Sequence, residues 1–177
     1  QSVIISQVGI FFFQYYYTKE LLGLYSIGFQ IAVMVKLLTD TLNMSWSPFL
    51  YELISGTKTI NKVYITRLLW TLIGILTLGL IFVNFTAGFI LKIMTTPAYY
   101  GAQEFILWFT LGFLFYGIYV FLFPILIKHE KQKYISTVTF INVFVMILLN
   151  VWFIDIFGYM GIAYAYCMTY FIMFLSL

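Results

Sequence analysis

Two ionisable side chains in this 177-residue chain lie inside a hydrophobic run, Lys36 and Asp40 in segment 21–51. The other charges lie between such runs or close to their ends. Four residues apart, the two share one face of a helix. A charge held at the centre of a bilayer costs about 2.5 to 3.5 kcal/mol on insertion scales. A membrane segment that keeps two must shelter them in a bundle interior or a wet cavity, which makes the pair the first functional-site candidate. Lysine would attract an anionic headgroup, and aspartate would bind a coupling cation or a proton. A second reading stays open, in which the two neutralise each other near the cytoplasmic boundary. Asp40 is about 9 Å from Trp46 along a helix and Lys36 about 15 Å, part of which snorkelling closes.

Amides inside the apolar runs form a second set: Gln14, Gln30, Asn43, Asn84, Asn142 and Asn150. Interhelical hydrogen bonding is their ordinary role in lipid; Gln30, Asn84 and Asn142 are also candidates to line a pathway beside Lys36 and Asp40. Tyr116 and Tyr119 offer flat faces that suit sugar rings, lipid or core equally. A single cysteine, Cys167, and a single histidine leave no disulfide and no metal-ligand cluster to build. Cys167 reads as a small packing residue. No zinc-protease, nucleophile-elbow or dinucleotide motif occurs, and 56–59 (Gly-Thr-Lys-Thr) lacks the upstream glycine of a phosphate loop. An enzyme, a cofactor and a nucleic-acid partner are therefore not expected.

The elements that must position these residues follow from composition. The chain is 63% hydrophobic, 22% aromatic and 8% charged, against about 25% charged residues in a soluble domain. It cannot cover a globular surface with water-facing groups, and the expectation is an all-α, polytopic membrane helix bundle. Apolar runs at 3–17, 21–46, 68–91, 105–127, 134–154 and 162–177 predict about six transmembrane helices. They are too long and too uniformly apolar for barrel strands. Pro48 should end or kink the second helix, and Pro124 should bend or end the fourth. Stripes of small residues, Gly161–Ala165–Thr169 and Gly28–Ala32, suit close helix contact.

Lysine and arginine placement sets the expected orientation. Lys58, Lys62, Arg67, Lys128, Lys131 and Lys133 fall on one side, and Lys19 and Lys92 on the other. Loops 52–67 and 128–133 are then cytoplasmic, and the basic cluster at 128–133 suits anionic membrane lipid. The segments 18–20, 92–104 and 155–161 are external. The first residue is Gln1, no signal peptide is visible, and both ends look cut, so the chain reads as a single transmembrane domain within a longer protein.

Five short pieces then carry a resemblance: 22–28 (Leu-Gly-Leu-Tyr-Ser-Ile-Gly), 46–49 (Trp-Ser-Pro-Phe), 97–102 (Pro-Ala-Tyr-Tyr-Gly-Ala), Asn150, and 158–163 (Gly-Tyr-Met-Gly-Ile-Ala). In this order the chain resembles the C-terminal half of polysaccharide (O-antigen-type) repeat-unit flippases. These belong to the multidrug/oligosaccharidyl-lipid/polysaccharide exporter superfamily. The resemblance implies one lobe of a two-lobe transporter in the bacterial inner membrane, working by alternating access. It implies an undecaprenyl-diphosphate-linked oligosaccharide as cargo, and a coupling cation or proton. Such proteins often carry an acidic–basic pair one helix earlier, where this chain has Gly9 and Ile10, so that role does not transfer. A multidrug or metabolite exporter of the same superfamily is the nearest alternative. A membrane-embedded polysaccharide polymerase or ligase fits less well, because the external loops are short and hold few ionisable groups.

Overall fold

The computed structural model describes residues 2–54, 62–128 and 132–176, all but a few in helical segments. Side-chain burial is described for residues 7–53, 63–124 and 137–176. Helix dominates because lipid offers no partners to backbone N–H and C=O groups, and a helix satisfies them internally. The elements are α1 (Ser2–Tyr16), α2 (Lys19–Ile54), α3 (Lys62–Met94), α4 (Gln103–Lys128), α5 (Gln132–Phe157) and α6 (Gly161–Leu175). Short 3₁₀ helices at Pro97–Ala102 and Gly158–Met160 lead into α4 and α6.

Four stretches are long and apolar enough to cross a membrane: Lys19–Leu53, Val63–Met94, Pro97–Pro124 and Thr137–Leu175. The chain is thus an all-helical, multi-pass membrane protein. The stretch Thr137–Leu175 holds both α5 and α6, turned back on each other. Gly158 takes φ +60°, and a Cβ on Gly161 would overlap the Phe153 carbonyl oxygen. The two arms then run antiparallel, so that Thr169 of α6 reaches the Met146 sulfur of α5 at 3.2 Å. The α1 helix, at 15 residues, spans about 22 Å and falls short of a 30 Å hydrocarbon core on its own.

Neither proline ends its helix. The α2 helix runs through Pro48 to Ile54, and α4 runs through Pro124 to Lys128. Neighbouring groups can take over backbone positions that a proline leaves unpaired in a bundle. Next to such a position at Pro124, the Trp46 indole of α2 donates to the Phe121 carbonyl at 2.8 Å. Phe121 is the residue after Val120, whose carbonyl has no i+4 donor when residue 124 is proline.

The core is built on α4. It packs most extensively on α2 on one side and on α6 on the other, and α3 lies against α2 and α4. The larger cluster includes Tyr25, Phe105, Phe109, Phe113, Tyr166 and Tyr170. A second cluster, Trp46, Leu50, Leu76 and Phe121, holds the other end of α2. Both small-residue stripes lie at helix contacts. Gly161, Ala165 and Thr169 are buried on α6, and a Cβ on Gly28 would meet the Ala102 carbonyl oxygen at 2.9 Å.

The segments expected to be external gather at one end. Tyr99 lies over Gly23, and the Tyr159 hydroxyl donates to Glu104 at 3.4 Å. The Tyr17 hydroxyl is pushed above its ordinary pKa, first by burial and second by the Asp155 carboxylate. Residues 55–61 and 129–131, with Lys58 and Lys131, lie outside the described residues. So do the side chains of Lys62, Lys128 and Lys133, and with them most of the basic groups that set the expected orientation.

Candidate functional site

The Lys36 ammonium donates to Asp40 Oδ2 at 2.6 Å, across one turn of α2. It is the one ion pair among the described residues. Neither side chain is sealed in: Lys36 keeps 24% of its accessible surface and Asp40 41%. The pair sits deeper than a helix ending near Trp46 would place it. Lys36 lies 17 residues from the start of the 36-residue α2 and 18 from its end, or about 26 Å from either. Snorkelling covers only a fraction of that distance.

A tyrosine from α4 completes the immediate surroundings. Lys36 Nζ lies 5.9 Å from the centre of the Tyr116 ring, within the range of cation–π attraction. Tyr116 meets Tyr170 of α6 edge-on at 5.4 Å, and Tyr170 meets Tyr166 at 5.0 Å. Through Phe109, 5.3 Å from Tyr166 and 5.0 Å from Tyr25, the ring series reaches α2 again. An aromatic file thus runs from the ion pair into the larger core cluster.

That file carries a polar atom without a partner. The Tyr25 hydroxyl and Oδ1 of Asn150 on α5 are buried and make no hydrogen bond, whereas the buried hydroxyls of Tyr166 and Tyr170 interact with each other. Each group without a partner costs about 1 to 3 kcal/mol in desolvation. The Tyr25 hydroxyl points at the backbone of α1, where a Cβ on Gly9 would overlap it. This gives a physical reason for glycine at 9: an acidic or basic side chain there would evict Tyr25 from its seat.

The other candidates do not converge on the pair. Gln30 is exposed and borders a cavity of about 370 Å³ with Met34, Ile90 and Thr95, between α2 and α3. Six residues before Lys36, it is rotated about 240° around the helix from it. Asn84 of α3 donates at 2.9 Å to the Thr110 hydroxyl of α4 and to the Leu80 carbonyl. It thus ties α3 to α4. Asn142 is buried on α5. Of the tyrosines left open by the sequence, Tyr116 faces the pair, while Tyr119 is buried against Phe123. Cys167 is buried on α6, and no group of three His, Cys, Asp or Glu side chains gathers among the described residues.

Tyr166 and Tyr170 were not singled out by sequence reasoning, and Tyr25 entered only as part of segment 22–28. The only signal was the four-residue spacing of 166 and 170, which in an apolar helix reads as ordinary core. No protein-family model, no curated protein and no solved structure matches this chain.

Proposed function

We propose that this chain is a lobe of about six transmembrane spans from a lipid-linked oligosaccharide flippase. It would move an undecaprenyl-diphosphate-sugar unit across the bacterial inner membrane by alternating access. The reading rests on the resemblance of segments 22–28, 46–49, 97–102 and 158–163 to that family. The observation that carries its mechanism is the half-accessible Lys36–Asp40 pair at mid-length of α2. A large polar headgroup cannot cross hydrocarbon unaided, and two lobes can shelter it in a wet cleft while its lipid tail stays in the bilayer. In that cleft Lys36 attracts the diphosphate and Asp40 takes a proton or cation. Tyr116 holds the lysine in place and offers a ring face to sugar. Loops 52–67 and 128–133 face the cytoplasm in this arrangement.

The test is export at matched expression. Lys36→Ala and Asp40→Ala, each in the intact protein, should lower surface polysaccharide severalfold. Normal export by both variants would remove the pair from the mechanism. A changed drug sensitivity with an unchanged polysaccharide coat would point instead to a drug or metabolite exporter.

A further inference from the structure

The lower part of α3 and the facing stretch of α2 enclose a feature that the transport reading does not use. An open groove of about 430 Å³ runs along the α2–α3 seam, lined by Leu42, Trp46, Phe49, Leu68 and Leu72, with hydroxyls from Thr41, Ser45 and Thr71. Thr71 also lines a second concavity of about 530 Å³, where Arg67 sits between Thr66 and Trp70. One end of this surface is cationic and the other is apolar.

Among the described residues the charge has no internal answer. Arg67 is exposed and has no carboxylate partner among the described residues. The first turn of α3 holds no acidic residue to offset its positive dipole end. Glu52, three residues beyond Phe49 on α2, is already engaged in an interaction of its own. Trp70 is 67% exposed and Tyr64 50%. Amphipathic rings of this kind settle at headgroup depth, which puts the guanidinium level with lipid phosphates.

We propose that this seam is a binding site for an anionic glycerophospholipid of the bilayer. Its phosphate is held by the planar fork of Arg67. One acyl chain lies in the groove against Leu42, Phe49, Leu68 and Leu72. Basic pockets between transmembrane helices take anionic headgroups in this way, and one basic group near the surface strengthens such binding about fivefold.

Native mass spectrometry of the intact protein in mild detergent, titrated with dioleoyl phosphatidylglycerol or dioleoyl phosphatidylcholine, reads this directly. The wild type should retain the anionic lipid about fivefold better. Arg67→Gln should bring the ratio close to one, and Arg67→Lys should keep part of it. Ser45→Trp, which fills the groove from an exposed position, should lower retention of both lipids. Lys92→Gln, at the other end of α3, should change nothing. The site is overturned if Arg67→Gln keeps the wild-type ratio, or if Lys92→Gln costs as much as Arg67→Gln. It is also overturned as a phospholipid site if equimolar undecaprenyl phosphate displaces phosphatidylglycerol, because the groove then belongs to the cargo.

Discussion

Removing one member of the Lys36–Asp40 pair does two things that can be separated. It strands the other charge, and it deletes whatever the pair does for cargo. With 24% and 41% of their surfaces accessible, the stranding cost lies between the values for exposed and buried pairs, about 1 to 2 kcal/mol. The double variant Lys36→Ala/Asp40→Ala strands nothing. Its folded yield and melting temperature should therefore exceed those of either single variant, while export stays low. Export that recovers with stability in the double variant would assign the pair to folding alone. The spacing of four made this pair legible from sequence. Its third member, Tyr116, was not, because it comes from α4 and meets Lys36 only through helix packing.

Tyr25 and Gly9 form a second residue-scale pair, with a sign that can be predicted. The Tyr25 hydroxyl is buried without a partner, so Tyr25→Phe should leave stability unchanged or raise it by up to about 1 kcal/mol. Gly9→Ala pushes a methyl group into that hydroxyl and should cost about 1 to 3 kcal/mol. In the Tyr25→Phe background most of this cost should vanish. Thermal unfolding of the four proteins in one detergent measures the coupling, and additive effects would mean that the two positions do not touch. Glycine at 9 looked in the sequence like a lost charged pair. The structure supplies a packing reason that no local pattern could, since the residue it accommodates lies a helix away.

At the scale of the element, the prolines show where sequence rules gave way. Pro48 and Pro124 should each interrupt a helix in water, yet α2 and α4 continue past both. The bundle braces α4 beside the proline, with Trp46 donating to the Phe121 carbonyl three residues before Pro124. Trp46→Phe keeps most of the apolar contact with Leu50 and Leu76 but leaves that carbonyl unanswered by the indole. It should cost about 1 to 2 kcal/mol, read as a lower melting temperature. No change on this substitution would show that α4 does not depend on α2 for its passage through the proline. The α5–α6 reversal, by contrast, was legible, because two glycines in 158–161 marked it and each has a steric reason there.

For the molecule as a whole, composition announced the membrane, but not which side of each helix meets it. Between residues 72 and 91 the α3 helix is largely apolar on every side, so hydrophobicity alone does not mark its inner face. Packing makes the distinction: Leu76, Leu80, Val83, Ala87 and Leu91 are buried at helical spacing, while Leu78, Phe82, Phe85 and Phe89 are exposed. A soluble protein would not leave Phe85 88% exposed on a helix already rich in bare apolar groups; in lipid the same face is at rest. Spin labels at 82, 85 and 89 in reconstituted protein should therefore be relaxed strongly by oxygen, which concentrates in acyl chains, and weakly by a water-soluble nickel chelate. Labels at 83 and 87 should be shielded from both. The half-accessible pair on α2 gives the contrasting case, since a cleft that carries a polar headgroup must admit water. A label at Leu37, exposed and next to Lys36, should respond to nickel if it borders that cleft. If position 37 matches 85 instead, with oxygen alone reaching it, that face of α2 is immersed in lipid. The ion pair beside it would then be a structural clasp in a bundle wall rather than part of a transport path.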